Sequence, residues 1–191
     1  KEKYDPKLIS CGFNYRFGKN ASGDTQMLSD FCKENAITLQ ICEPVTVGGE
    51  TVSSTEIRTL LKNGETEKAN CLMTEPFSYT APVIKGDERG RTLGFPTANQ
   101  KYPEVLMPVK FGVYKSSVFI DGKAYPAITD IGVRPTFKTD YIISETFIKD
   151  FSEDIYGREI TVSLLGFIRG EKKFSSVDEL VKQVKKDIGS V

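Results

Sequence analysis

Apolar and polar residues follow two different patterns along the chain, and the change falls near residue 75. In the first part, compact or alternating apolar runs typical of strands are separated by stretches whose apolar residues recur at helical spacing. Ser53 and Glu56 have the spacing of a capping box, which predicts the start of one helix, and Gly64 predicts its end. The predicted elements are strands at 8–11 and 37–41 and helices at 24–35 and 53–64. Their β-α-β-α order indicates a piece of an α/β layer.

The second part has the pattern of a β-structure. Its apolar residues alternate with polar ones, and glycine-containing turns separate the runs. Asp121-Gly122 is typical of a two-residue hairpin turn. The predicted strands are 77–83, 111–120, 123–129, 145–151 and 159–168. Several strands with such turns favour a closed barrel over an open sheet.

A helix is predicted to follow the last strand. Ser176 and Glu179 again have the spacing of a capping box. We expect its apolar face to pack against the barrel and its lysines to face water; these residues are Val177, Leu180, Val184 and Ile188, and Lys182, Lys185 and Lys186. We place the domain boundary at residues 73–76, which predicts an incomplete α/β domain at 1–75 and a β-barrel domain at 76–191.

Composition narrows the classes of function. The chain has 26 basic and 26 acidic residues, and this zero net charge argues against a general binder of nucleic acid. No apolar run is long enough to span a bilayer, and no signal peptide opens the sequence. The four cysteines form no close pair. We therefore expect a cytoplasmic protein with reduced thiols and with no membrane or nucleic-acid partner. As to its oligomeric state, we favour a monomer.

The chain contains no histidine. This excludes a Ser-His-Asp triad, a His-ligated metal and an imidazole acid or base from these 191 residues. A catalytic base must therefore be Asp, Glu, Lys, Tyr or a Cys thiolate.

The densest cluster of candidate chemistry lies between Gly86 and Asn99. Glycines allow the backbone to approach a ligand closely, and backbone N–H groups in such loops bind anions, with arginines adding positive charge. The residues concerned are Gly86, Arg89, Gly90, Arg91 and Gly94. Thr97 and Asn99 follow, and their oxygens are suited to Mg²⁺ or to phosphates. The alternative is a flexible hairpin loop in which both side chains only satisfy backbone groups of a turn.

The run from Gly90 to Asn99, Gly-Arg-Thr-Leu-Gly-Phe-Pro-Thr-Ala-Asn, resembles the signature of riboflavin kinases. The likeness continues in order through the segments 111–114, 132–137, 145–148, 154–157 and 167–174. The resemblance implies a closed six-stranded Greek-key β-barrel with a C-terminal helix, preceded here by a partial α/β nucleotidyltransferase-like domain. It also implies that the γ-phosphate of ATP is transferred to the 5′-hydroxyl of riboflavin, giving FMN and ADP.

The resemblance also implies roles for individual residues. Thr97 and Asn99 would hold Mg²⁺ and the nucleotide phosphates, and Glu145 would be the base that faces the 5′-hydroxyl. The flavin side would involve Arg169, Tyr114 and Phe174, although each has an ordinary structural alternative as a surface arginine or a core aromatic. The chain departs from the family in one respect, because Phe147 stands where a histidine is commoner.

The first part resembles the end of the FMN adenylyltransferase domain that bacterial riboflavin kinases carry. Two segments match, 12–18 and 52–58, and the second predicts a phosphate site at a helix N-terminus formed by Ser53, Ser54, Thr55 and Arg58. Plain helix capping is the alternative. The family's early His-x-Gly-His motif and first strands are missing, so we expect a fragment of a longer bifunctional enzyme. A binding module without turnover is a further alternative, against which the joint presence of Thr97, Asn99 and Glu145 speaks.

We expect the 191-residue chain to form no FAD from FMN and ATP. In the family, the His motif that is missing here stabilises charge on the transferring α-phosphate. A single hydrogen-bond donor of this type is worth about 10²–10³ in rate. Chromatographic separation of the flavins after incubation with FMN and Mg-ATP is the measurement. FAD formation in a preparation free of other enzymes would contradict the expectation.

Overall fold

The computed structural model of the protein describes residues 4–86, 89–134 and 141–189, without the side chains of Arg89 and Arg91. The predictions for those two side chains, and the part of the 132–137 motif after residue 134, lie outside the described residues. The chain divides into two compact units, Lys1–Ser53 and Ser54–Val191. Each unit is described by itself below.

The first unit contains the predicted β-α-β arrangement. Strands β1 (Leu8–Gly12) and β2 (Thr38–Cys42) pair in parallel, and helix α1 (Thr25–Glu34) connects them. The carboxylate of Asp24 accepts a hydrogen bond from the backbone N–H of Met27 at 2.9 Å, which caps the start of the helix. Three short elements complete the unit, a 3-10 helix at Lys19–Ala21 and strands β3 (Thr46–Val47) and β4 (Glu50–Thr51). The β-α-β prediction is confirmed.

The second unit begins with two helices, α2 (Ser54–Asn63) and α3 (Thr66–Cys71), which are joined at Gly64, where φ is +81°. Leu61 and Ala69 are buried in the same apolar cluster as the barrel strands. The amide of Asn70 donates to the carbonyl of Leu164 at 2.8 Å and accepts from the N–H of Phe77 at 3.0 Å. The apolar stripe of α2 therefore belongs to the barrel core, and the compact units divide earlier than the boundary that we predicted at residue 76.

Six antiparallel strands form the closed barrel, which confirms the predicted fold. In chain order they are β5 (Ser78–Ile84), β6 (Thr97–Lys101), β7 (Gly112–Ile120), β8 (Lys123–Arg134), β9 (Tyr141–Ile148) and β10 (Glu159–Arg169), with helix α4 (Arg89–Thr92) before β6. Around the barrel the order is β10-β5-β6-β9-β8-β7. Strand β6 was not predicted from the pattern, because its sequence Thr-Ala-Asn-Gln-Lys has no apolar alternation. Strand β9 also starts and ends earlier than predicted.

The hairpin between β7 and β8 has the predicted turn. Asp121 and Gly122 both have positive φ, at +49° and +80°. Two consecutive residues with positive φ are the requirement of the type I′ turn, which matches the twist of the flanking strands. The turn fixes the register in which Ile120 pairs with Lys123, and the ladder continues from there to Gly112 opposite Ile131.

The buried residues of the barrel strands show which positions point into the barrel and which point outward. Ala98 and Gln100 of β6 point inward, and the Gln100 amide donates to the carbonyls of Ala81 and Ile160 at 2.6 and 3.1 Å. Thr129 and Thr146 also lie inside, with their hydroxyls 3.0 Å apart. Because successive side chains of a strand alternate between faces, the neighbours of these residues in each strand lie on the outer face.

The final helix, α5 (Val177–Ile188), is capped by Ser176, whose hydroxyl accepts from the N–H of Glu179 at 3.3 Å. The predicted lysines are exposed, whereas the apolar face is only half-buried and Val177 remains 58% exposed. The most deeply buried side chain of the helix is Asp187, which is 3% exposed and pairs with Arg169 at 2.8 Å. A buried ion pair thus takes part in docking α5, which the apolar pattern did not predict. No helix in the described part of the chain is long and apolar enough to cross a bilayer.

We expect Leu61→Ala to lower the free energy of unfolding of the barrel by about 2–5 kcal/mol, as for other large-to-small changes in a core. Leu61 is 2% exposed and lies in the barrel cluster, although it is on a helix that the sequence assigned to the first domain. Denaturant unfolding followed by circular dichroism measures the change. The neighbouring exposed variant Lys62→Ala is the control, and equal stability of the two variants would contradict the packing of α2 on the barrel.

Candidate active site

A cleft with a volume of about 400 Å³ opens at one end of the barrel. Residues of β6 line one side, and the segment between β9 and β10 lines the other. The lining residues are Val83, Gly86, Pro96, Thr97, Ala98, Asn99, Thr146, Ile148, Phe151, Ser152, Glu153, Asp154, Ile155 and Tyr156. Three of the residues singled out from the sequence, Gly86, Thr97 and Asn99, therefore meet in this cleft.

Asn99 carries the clearest chemical signal of the cleft. Its side-chain nitrogen lies 3.2 Å from the carbonyl oxygen of Thr97 and 3.3 Å from the Thr97 hydroxyl. Its side-chain oxygen Oδ1 is buried and has no hydrogen-bond partner among the described residues. A buried polar atom without a partner costs about 1–3 kcal/mol, so an atom left in this state in a cleft indicates a ligand site.

The two side chains fit Mg²⁺. The unpaired amide oxygen of Asn99 and the hydroxyl of Thr97, which accepts a hydrogen bond from the nitrogen of the same amide, are hard oxygen donors, which this ion prefers. The described residues contain no cluster of three Asp, Glu or Cys side chains that could hold a metal. A magnesium ion at this place would therefore use these two donors together with phosphate oxygens and water, as it does where it accompanies a nucleotide.

Glycines allow the loop before β6 to approach these donors. A Cβ at Gly86 would lie 2.6 Å from Oδ1 of Asn99, and one at Gly90 would lie 2.4 Å from the carbonyl oxygen of Phe95. Residues 89–92 form helix α4 rather than an open loop, and the N–H of Phe95 donates to the carbonyl of Gly90 at 2.8 Å. Gly94 has a φ of +85°, which glycine adopts readily. The predicted glycine-rich loop is thus partly helical, and Gly86 and Gly90 approach their neighbours closely.

Glu145 lies beside Asn99 in the sheet. Strands β6 and β9 pair so that Asn99 is opposite Glu145 and Thr97 is opposite Phe147. Side chains directly opposite each other share a face, with Cα atoms roughly 4.5–5.5 Å apart. Glu145 is half-buried on the outer face. The structure therefore brings the predicted base next to the predicted metal ligands, although the strands are far apart in sequence.

Phe147 occupies the position where the family more often has histidine. It lies on the same outer face as Glu145, and its ring packs edge-on against Phe95 with centroids 6.0 Å apart. The change thus replaces a polar ring with an apolar contact to the segment that leads into β6, and it leaves the register of Glu145 and Asn99 intact.

The three residues predicted to contact the flavin lie in different surroundings. Tyr114 is fully buried, its ring packs edge-on against Phe167, and its hydroxyl donates to the carbonyl of Lys110. Burial also raises the pKa of this phenol and keeps it neutral. Tyr114 is thus a core residue, which corrects its proposed contact with flavin. Arg169 uses its guanidinium to bind Asp187, and Phe174 is half-buried with the Arg169 guanidinium 5.8 Å from its ring centre. A flavin contact by these two residues stays a prediction.

The phosphate site that was predicted for the first part of the chain involves the start of α2. Ser54 and Thr55 begin α2, and the guanidinium of Arg58 donates to the Ser54 hydroxyl at 3.2 Å. This contact joins the two side chains within one turn of the helix. Ser53 is the last residue of the first unit, and a phosphate-binding role for the four residues stays a prediction.

Two features of the site were not predicted from the sequence. The segment 152–156 lines the cleft, whereas in the sequence part of it was noted only for its likeness to a family motif and was given no role in the site. Asp130 on β8 lies directly opposite Glu145. Desolvation by the surrounding protein atoms raises the pKa of Asp130 to about 6, although the residue as a whole is exposed. No local motif identifies this residue, because its position depends on the pairing of β8 with β9.

Comparisons with known proteins identify the family of this chain. The family model for riboflavin kinase matches residues 73–191, and the model for FAD synthetase matches residues 1–56. A bifunctional riboflavin kinase/FMN adenylyltransferase of Listeria monocytogenes is 37% identical over 94% of this chain and 57% of its own length. The enzyme with the same name from Escherichia coli is 36% identical over 95% of this chain and 58% of its own length.

A solved structure has the same fold over nearly the whole chain. It is a crystal structure described as a macrolide-efflux protein from Streptococcus pneumoniae, with a TM-score of 0.84 at 35% identity, and the match covers 95% of this chain and 58% of that one. The chain spans a little more than half the length of the curated relatives that it matches. The resemblance noted in the sequence is confirmed.

We expect Gly86→Ala to weaken the binding of Mg-ADP by about tenfold, which corresponds to ~1.4 kcal/mol. The added methyl group would lie 2.6 Å from the Asn99 amide oxygen and force that side chain out of its position. Isothermal titration calorimetry measures the change. Gly170→Ala is the matched control, because a Cβ there has no neighbour within 4 Å, and equal affinities of the two variants would contradict a role for the Gly86–Asn99 contact.

Proposed function

Because the chain belongs to the riboflavin kinase family, we propose that it transfers the γ-phosphate of ATP to the 5′-hydroxyl of riboflavin, giving FMN and ADP. The observation that carries the proposal is the pairing of Asn99 with Glu145 across β6 and β9. In this arrangement a site for a hard cation and phosphate would lie next to a carboxylate. The transfer would need no covalent intermediate on the protein. Such an arrangement suits direct phosphoryl transfer, which depends on positioning and on charge stabilisation.

The nucleotide would bind in the cleft, with its phosphates against the backbone of Gly86 and of the segment from Gly90 to Gly94. Thr97 and Asn99 would hold the accompanying Mg²⁺ through the hydroxyl and the unpaired amide oxygen. When bound, this ion neutralises negative charge on the phosphate oxygens. Gly86 and Gly90 keep the loop backbone within contact of both side chains, so that the phosphates are held away from bulk water.

Glu145 would act as the base toward the 5′-hydroxyl. Glu145 is opposite Asn99 in the β6–β9 ladder, and this supports a role in which its carboxylate oxygen accepts the hydroxyl proton as the oxygen attacks phosphorus. Its half-buried position leaves the carboxyl group reachable from the outer face of the barrel. We propose that riboflavin lies on this face, near Arg169 and Phe174.

A second function is proposed for the longer protein of which this chain covers part. The FAD synthetase match at residues 1–56 favours an FMN adenylyltransferase that converts the kinase product into FAD. We further propose that the protein works in the cytoplasm as a monomer, with riboflavin, FMN, ATP and ADP as its partners and with no nucleic acid or membrane among them. The four free cysteines agree with a reducing compartment.

We expect Glu145→Gln to reduce kcat by ~10²–10⁴, the usual loss on removing a general base, while the affinity for riboflavin changes little. Glutamine keeps the shape and an acceptor oxygen but cannot take the proton. Steady-state kinetics for kcat and a flavin fluorescence titration for affinity are the measurements.

The variant Thr97→Val serves as the matched comparison. It removes the hydroxyl that faces Asn99 while preserving the shape of the side chain, so the KM for Mg-ATP should rise and riboflavin affinity should stay. Near wild-type kcat for Glu145→Gln at saturating substrates would show that Glu145 is not the base. Unchanged use of riboflavin in excess chelator would overturn the metal role.

A further inference from the structure

We propose that Asp130 is a positioning residue of the phosphoryl-transfer site, which takes the hydroxyl proton from Glu145 and releases it to solvent. This inference rests on the proposed function, in which Glu145 is the base. The geometry that supports it is a row of three side chains across neighbouring strands. Asn99 on β6 pairs with Glu145 on β9, and Glu145 pairs with Asp130 on β8. All three lie on the outer face of the barrel.

Exposure increases along this row. Asn99 is 6% exposed, Glu145 is half-buried and Asp130 is exposed. The row therefore leads from the metal and phosphate site to water through adjacent carboxyl groups, whose strands place their Cα atoms roughly 4.5–5.5 Å apart. Strand β9 separates Asp130 from Asn99, so Asp130 is not adjacent to the proposed metal ligands.

The charges around Asp130 favour a proton acceptor that works near neutral pH. Partial desolvation raises its pKa to about 6. Four charged groups on the elements around it also act on this pKa: Arg169 at the end of β10 lowers it, whereas Glu171 in the segment after β10, Glu145 on β9 and Asp187 on α5 raise it. Asp187 already binds Arg169 through two hydrogen bonds of 3.0 and 2.8 Å, which engages the guanidinium and leaves the carboxylate of Asp130 able to take up a proton.

The proposed relay moves one proton twice and accompanies the exchange of one P–O bond for another. As the riboflavin 5′-oxygen forms its bond to the γ-phosphorus, the bond between this phosphorus and the leaving oxygen of ADP breaks, and the hydroxyl proton moves to a carboxylate oxygen of Glu145. That proton then passes to the ionised carboxylate of Asp130, which leaves Glu145 ionised for the next turnover. Asp130, which faces solvent, releases the proton to water or buffer. Asp130 must be ionised to accept, so the rate should fall as the pH drops through the pKa of Asp130.

The test is kcat for FMN formation by the full chain, measured over many turnovers between about pH 5 and pH 8, which brackets an acceptor pKa near 6. For Asp130→Asn we expect a rate about tenfold lower at neutral pH, a smaller loss than the ~10²–10⁴ expected on removing the base itself. The acid limb near pH 6 should disappear from this variant, and high concentrations of imidazole should restore its rate by accepting the proton. Asp130→Glu should retain most of the rate and an acid limb.

Glu159→Gln is the control, since it removes an exposed carboxylate at the start of β10. It should leave the rate and the pH profile as they are in the unmodified chain. A purely structural role of Asp130 would lower the rate of Asp130→Asn without any rescue by imidazole, and that outcome would overturn the proposal. A wild-type rate and acid limb in Asp130→Asn would also overturn it.

Glu145→Gln, measured in the same experiment, separates the two proposals. If Glu145→Gln is strongly impaired and Asp130→Asn is not, the base assignment stands and the relay alone fails. If Glu145→Gln is unimpaired, the base assignment fails and the relay fails with it.

Discussion

The antiparallel pairing of β6 with β9 is the constraint on which the rest of the site depends. One register places Asn99 opposite Glu145 and Thr97 opposite Phe147. A shift by a single residue would turn every side chain of β6 to the other face of the barrel. Gln100 opposes such a shift, because its buried amide is bound to carbonyl groups of β5 and β10. The closed barrel therefore fixes Thr97 and Asn99 on one strand relative to Glu145 on the next.

The barrel in turn depends on elements outside its strands. Helices α2 and α3 contribute Leu61 and Ala69 to the core, and Asn70 satisfies two backbone groups of the strand region. At the other end of the unit, the buried ion pair between Arg169 and Asp187 docks α5. Breaking a buried pair by removing one partner typically costs about 3–5 kcal/mol because the remaining charge is left without compensation. The ion pair thus links the position of α5 to that of the last strand.

Among the described residues, four buried side-chain atoms have no hydrogen-bond partner. Three of them, the hydroxyls of Thr66 and Tyr79 and the side-chain oxygen of Gln100, belong to residues that do not line the cleft. The fourth is the side-chain oxygen of Asn99, which is a lining residue of the cleft. The same cost of desolvation applies to all four atoms, but only Asn99 borders a space that a ligand can enter. This difference distinguishes a site from a feature of packing.

The amino-acid sequence by itself determined the β-α-β start, most barrel strands, the Asp121-Gly122 turn and the family, because periodicity, turn chemistry and motif order are local properties. Motif resemblance also led to the prediction of site roles for Thr97, Asn99 and Glu145. Only the tertiary structure decided that β6 is a strand, that α2 belongs with the barrel, that Tyr114 is a core residue and that Asp130 lies beside Glu145. These outcomes depend on pairing and burial between segments distant along the chain, and no local pattern of residues encodes such contacts.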